Sequence, residues 1–180
     1  MKSSAFDDEL KSFAKLFHNA YPTQDSITKA LIMWKLGLGN SAKLFNGEDP
    51  MPHKTRIATK DSWKIEPMGK HVMIPLDYFL PEEAMSVIRY GHIPEAMEDH
   101  WFMYCDENSI RYYRSWTGIC AFIAEFEKVE GGVKINRLLS RRESSKKDDE
   151  QDKKDIALFL ALLVSEFGGD ASEYWNIFMG

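Results

Sequence analysis

Phe6, Leu10, Phe13 and Phe17 repeat at 4-3-4 spacing, which predicts one apolar stripe of a helix. Asp7, Asp8 and Glu9 stand near its start, where carboxylates complement the helix dipole, and Pro22 stops it. A second helix is expected from Asp25 or Ser26, carrying Ile27, Ala30, Leu31, Trp34 and Leu36 and ending at Gly37 or Gly39. Residues 41–45 read as one more turn and 46–52 as loop. From about Val72 the pattern changes. Residues 71–76 read as a short strand with Pro75 at its end or on a sheet edge. Pro81-Glu82-Glu83 then opens a helix expected to run to Tyr90 and end at Gly91.

The central pattern has period two. Trp101-Phe102-Met103-Tyr104-Cys105 is apolar and aromatic, as in a strand buried on both faces. Asp106-Glu107-Asn108-Ser109 is a turn, and residues 110–116 are the return strand. Alternation puts Ile110, Tyr112, Arg114 and Trp116 on one face, and Arg111, Tyr113 and Ser115 on the other. Thr117-Gly118 makes a kink or turn, residues 120–128 a third strand, Glu130-Gly131-Gly132 a hairpin, and 133–138 a fourth strand. The charge run 141–155 has mixed signs and reads as a solvated, mobile loop, with a partner site as the alternative. Residues 156–164 are apolar all round, so a helix there is buried against the sheet or partly covered by another chain. Gly168-Gly169 ends it, and Asp170 and Glu173 form an N-cap and N3 pair for a last short helix with Tyr174, Trp175 and Phe178. The expected fold is α+β, an antiparallel β-meander of about four to five strands packed with N-terminal and C-terminal helices. One domain is expected over 1–180: a helical N-terminal extension (1–70), the sheet with one inserted helix (71–140), a charged loop (141–155) and C-terminal helices (156–180).

Composition sharpens this reading. At 180 residues the chain should bury roughly 70% of its unfolded surface, enough for a core without staples. The formal net charge of −5 argues against nucleic acid, because phosphate contacts need a Lys/Arg excess, and the bases between Arg137 and Lys154 are interleaved with acids. Cys105 and Cys120 lie in strand-like runs and read as small buried hydrophobes, ahead of a disulfide or a catalytic thiol. No apolar signal core follows Met1, and no stretch approaches the roughly 20 apolar residues of a membrane span, so a cytoplasmic chain without a membrane partner is expected.

Gly91-His92-Ile93-Pro94-Glu95-Ala96-Met97-Glu98-Asp99-His100-Trp101-Phe102, followed by Arg114-Ser115-Trp116-Thr117-Gly118-Ile119-Cys120, resembles a family of small bacterial proteins of unassigned activity. Its members read GHxPxxMEDKWF, an acidic turn, aromatic strand residues, then RSWTGxC. Some stand beside, or are joined to, ADP-ribosylglycohydrolase-like domains, so the resemblance implies an association with ADP-ribose chemistry and no more. The chain departs from the pattern at His100, where the family often has Lys, and the first ~70 residues look peculiar to it.

One polar constellation follows from the hairpin alone. If residue 107 pairs with 108, residue 101 falls near 114, and Glu98, Asp99 and His100 meet Arg114, Ser115, Trp116 and Thr117 at one end of the sheet. As structure, Arg114 forms an ion pair with Glu98 or Asp99, and Thr117 and Gly118 shape the turn. As a ligand site, Arg114 holds a phosphate or carboxylate, Trp101 or Trp116 stacks on a ring, and Glu98 or Asp99 holds a ribose hydroxyl or a water. His92, His100, Glu95 and Asp99 lack ligand spacing, so neither a metal nor a cofactor is expected. Nucleophile motifs and phosphate-cradling glycine loops are absent. The primary functional expectation is therefore a non-catalytic binding or interaction module, immunity-type or regulatory, with a protein partner or a second copy of itself. The alternative is a nucleotide- or ADP-ribose-linked enzyme or sensor centred on Glu98, Asp99 and Arg114.

Overall fold

The structure, a computed structural model, describes residues 56–166 and 171–180. The helices expected before Gly39, the loop to Pro52 and the Gly168-Gly169 stop lie outside these residues. Five strands form one antiparallel sheet in the order β1-β5-β4-β3-β2, comprising β1 (His71–Pro81), β2 (Trp101–Cys105), β3 (Ser109–Arg114), β4 (Cys120–Val129) and β5 (Gly132–Arg141). Three helices accompany it: α1 (Glu82–Ile88), α2 (Asp149–Glu166) and α3 (Ser172–Met179). The fold is α+β. Consecutive strands β2 to β5 form the expected meander, and β1 adds to its β5 edge.

β1 runs five residues beyond the expected Leu76, to Pro81. A bulge between Pro75 and Tyr78 absorbs the interruption at Asp77, and pairing with β5 resumes at Tyr78. Pro75 sits on an edge strand, where a missing N–H breaks no outer ladder. α1 ends at Ile88, and the chain turns through Gly91 at φ +70. A Cβ there would stand 2.5 Å from the Met103 carbonyl, so the turn requires glycine for space as well as backbone angle.

The sheet is buried on both faces. On one, Tyr112, Phe122, Ile135 and Leu138 pack against α2, whose Phe159 meets Tyr112 and Phe122 edge-on at 6.0 and 6.1 Å. On the other, Phe102, Tyr104, Tyr113 and Cys120 lie with Ala58, Met68 and Trp63. The two-sided burial expected for β2 is thus met.

Two expectations are corrected. Residues 56–70, assigned to a helical extension, form no helix; they lie along the second face, with Glu66 bridging Ile119 and Ala58 N–H donating to Tyr90 O. The residues that pack, Ala58, Trp63 and Met68, are spaced at five, which matches neither helical period. The second correction is the charged loop, which is helical from Asp149. Asp148 Oδ1 accepts the Gln151 N–H at 3.0 Å, an N-terminal cap followed by acids in the first turn. Mixed charge here obeys helix rules. The apolar stretch expected to be buried all round, 156–164, is the second half of the same helix. α3 is capped at Ala171 without a side-chain bond; Asp170 lies outside the described residues. Among the described residues no helix is long and apolar enough to cross a membrane.

Candidate functional site

The hairpin register follows from its turn. Asp106 Oδ1 accepts the Ser109 N–H and hydroxyl, each at 2.8 Å, and the Asn108 N–H at 3.1 Å, while Oδ2 accepts Arg111 Nε at 2.9 Å. Burial raises this carboxyl, but those bonds outweigh it and hold it below the usual carboxylate range. With the turn fixed there, Trp101 pairs with Arg114, as the sequence implies. Arg114 is the last residue of β3. Its guanidinium carbon lies 4.6 Å from the Trp101 ring centroid. Trp101 is itself held by Phe122, stacked at 6.2 Å, and by Tyr112, edge-on at 6.1 Å. Beyond Arg114 the chain reverses through Gly118, at φ +77, whose N–H returns to Arg114 O at 2.7 Å.

The expected constellation is gathered by its backbone and aromatic rings. Ser115 Oγ donates to Asp99 O at 2.6 Å, the Ser115 N–H donates to His100 O, and Trp116 Nε1 donates to Met97 O at 3.2 Å. His100 meets the Trp116 ring edge-on at 5.7 Å. The expected ion pair is not formed: among the described residues neither Glu98 nor Asp99 pairs with Arg114. The Asp99 carboxylate instead turns back on its own loop, accepting the Glu95 N–H at 2.8 Å with His92 Nε2 at 3.8 Å. The Glu95 bond holds its carboxyl below the ordinary range. Glu98 is exposed.

Arg114 faces a cavity of about 430 Å³ between the end of the sheet and α2. Its apolar wall is Trp101, Phe122, Ile119, Ala121 and Leu158. Thr117, Ser140, Arg141 and Asp155 complete it. Trp101, Arg114 and Thr117 of the expected site residues line the space; Glu98, Asp99, His100, Ser115 and Trp116 do not. A guanidinium has five N–H donors, and a contact of its carbon with a ring does not use them as hydrogen bonds. No carboxylate of the described residues takes them up.

Sequence reasoning missed the α2 side of the cavity. Asp155 is buried, accepts three hydrogen bonds there and stands in an ion pair with Arg142. Ser140 Oγ reaches Oδ2 at 2.6 Å and Gln151 Nε2 reaches Oδ1 at 2.8 Å; Arg142 approaches Oδ2 through Nε and Nη2, both at 2.8 Å. Asp152 Oδ1 stands 2.7 Å from Arg142 Nη2 as well. Burial alone would lower the Arg142 guanidinium, but the two carboxylates raise it. Asp155 at Arg142 + 13 is a contact between a strand end and a helix, with no short-range spacing to signal it; the usable clue was Asp148 with Gln151 three residues on.

The thiols are poor nucleophiles. Burial pushes Cys105 and Cys120 each up to about 11, so both are neutral at pH 7. Among the described residues no group of three or more His, Cys, Asp and Glu side chains is placed to hold a metal ion. Compared with known proteins, the chain matches no family model, no curated protein and no solved structure.

Proposed function

We propose that this chain is a non-catalytic, regulatory-type binding module that recognises a small organic anion at the open end of its sheet. One observation carries the reading: the Arg114 guanidinium carbon stands 4.6 Å from the centroid of the Trp101 ring, without a carboxylate partner among the described residues, at a cavity of about 430 Å³. That volume is within the range of small-molecule sites. A carboxylate or phosphate would take the guanidinium in a charge-assisted pair, while an apolar body lies on Ile119, Ala121 and Leu158. Catalysis has little support in the groups present. The cavity carboxylate, Asp155, is engaged by Ser140, Arg142 and Gln151, and both thiols are neutral. The nucleotide or ADP-ribose reading asks Trp101 or Trp116 to stack on a ring; Arg114 lies over Trp101, and Trp116 is exposed but lies outside the cavity lining.

The test is a titration with hexanoate, read by intrinsic tryptophan fluorescence and by calorimetry. Saturable binding that Arg114→Ala weakens about tenfold or more, with an unchanged melting curve, is the expected result. Hexanoate binding equally well to the variant, or not binding, overturns the proposal.

A further inference from the structure

The cavity has a second polar end, and it is acidic. Asp155 lines it from α2 and Ser140 from β5. Leu138, Ser140 and Arg142 alternate with Leu139 and share the face of the sheet that meets α2. Arg114 is on that same face, two residues beyond Tyr112. Tyr112 pairs with Phe122 and Phe122 with Ser140, so Ser140 lies two strand spacings across from Tyr112. The backbones of Arg114 and Ser140 are then roughly 12 Å apart. The Asp155 carboxylate between helix and sheet is not saturated. Its Oδ2 takes the Ser140 hydroxyl and the Arg142 guanidinium, whereas Oδ1 takes Gln151 Nε2 alone among the described residues. A carboxylate oxygen accepts about two hydrogen bonds, so Oδ1 has an acceptor position to spare. The charge balance agrees. Arg142 stands between two carboxylates, Asp152 at 2.7 Å and Asp155 at 2.8 Å, and no other cation pairs with either among the described residues. Two negative charges against one positive leave a surplus negative charge at this end, opposite in sign to Arg114.

We propose, resting on the anion site described above, that its ligand class is a small zwitterion, a carboxylate and an ammonium joined by a short apolar spacer. The carboxylate takes Arg114, the spacer lies on Ile119, Ala121 and Leu158, and the ammonium donates to Asp155 Oδ1. An ammonium carries three donors and no acceptor, which suits an open carboxylate oxygen. A monoanion of the same length leaves that oxygen unfilled. A dianion brings a second negative charge against the surplus carboxylate and is rejected.

The experiment compares hexanoate, 6-aminohexanoate and adipate, which have equal chain length, by calorimetry on the full chain. 6-Aminohexanoate should bind about tenfold tighter than hexanoate, the worth of one hydrogen bond between charged groups, and adipate more weakly than either. Asp155→Asn removes the charge and should bring hexanoate and 6-aminohexanoate to within about twofold of each other. Asp152→Asn, at a more exposed position, keeps Asp155 Oδ1 but cancels the surplus charge, and should cut the preference about threefold. It carries the test if melting curves show that Asp155→Asn does not fold. Arg114-dependent hexanoate binding with no gain for 6-aminohexanoate overturns this inference and leaves the anion site standing. Adipate binding as tightly as 6-aminohexanoate, or a preference that the folded variants retain in full, also overturns it. Failure of all three probes to bind removes both readings together.

Discussion

Asp155 joins α2 to the end of β5, and its loss should be among the costliest single changes outside the apolar core. The first two turns of α2, from Asp149 to Asp155, contain no apolar residue, so their docking depends on polar contacts. Asp155→Ala removes an acceptor that takes bonds from Ser140, Arg142 and Gln151. The side chains of Arg142 and Asp155 are only 10% and 11% exposed, so screening by water offers little relief. Breaking a buried ion pair by deleting one partner costs about 3–5 kcal/mol. Asp152 still holds Arg142 at 2.7 Å, which places the expected loss near the lower end, about 3 kcal/mol. For a chain of this size that is a fall in Tm of roughly 6–12 °C. Urea melts followed by far-UV circular dichroism at pH 7 would measure it. Deleting both partners, Asp155→Ala with Arg142→Ala, should cost less than the sum of the single losses by 1 kcal/mol or so, because neither charge is then stranded. A loss below about 0.5 kcal/mol for Asp155→Ala, the level of an ordinary surface change, would refute the reasoning.

Two further outcomes follow from buried groups. The Tyr112 hydroxyl is buried without a hydrogen-bond partner among the described residues, so Tyr112→Phe should leave stability unchanged or raise it by about 1 kcal/mol; a loss of that size in the same melts would reveal a bond to the hydroxyl. Cys105 and Cys120 titrate near 11 in the fold against 9.0 ordinarily, so each contributes stability that is complete below pH 9 and is lost as pH rises through 11. The urea midpoint should therefore fall between pH 8.5 and 10.5 more steeply in the parent than in the Cys105→Ala, Cys120→Ala double variant, and parallel slopes would contradict the burial of the thiols.

Much of the sheet was legible because its strands carry strong local signals. The Trp101–Cys105 run, the Asp106 turn and the two glycines at 131–132 set strand, reversal and register within neighbouring residues. The pairing of Trp101 with Arg114 follows from counting back from the turn, and it brings the Ser115 and Trp116 bonds to the 97–100 loop with it. Counting residues does not say where a carboxylate points. Asp99 prefers the amide four residues before it, and Arg114 rests on Trp101, so the two charges expected to meet do not. The α2 half of the cavity was hidden for a different reason. A stretch of acids and bases looks solvated until one of them, Asp155, is fastened to Ser140 and Arg142 across the layer between helix and sheet.

The claim that most depends on direct evidence is that the Arg114 guanidinium has donors to spare. Arginine Nε–Hε resonances in a ¹⁵N-labelled sample, followed through a hexanoate titration, report on each guanidinium separately. Arg114 should shift progressively and saturate, while Arg111, already bonded to Asp106 at 2.9 Å, stays in place. A stationary Arg114 signal at hexanoate concentrations that move the other arginines would contradict the proposed site.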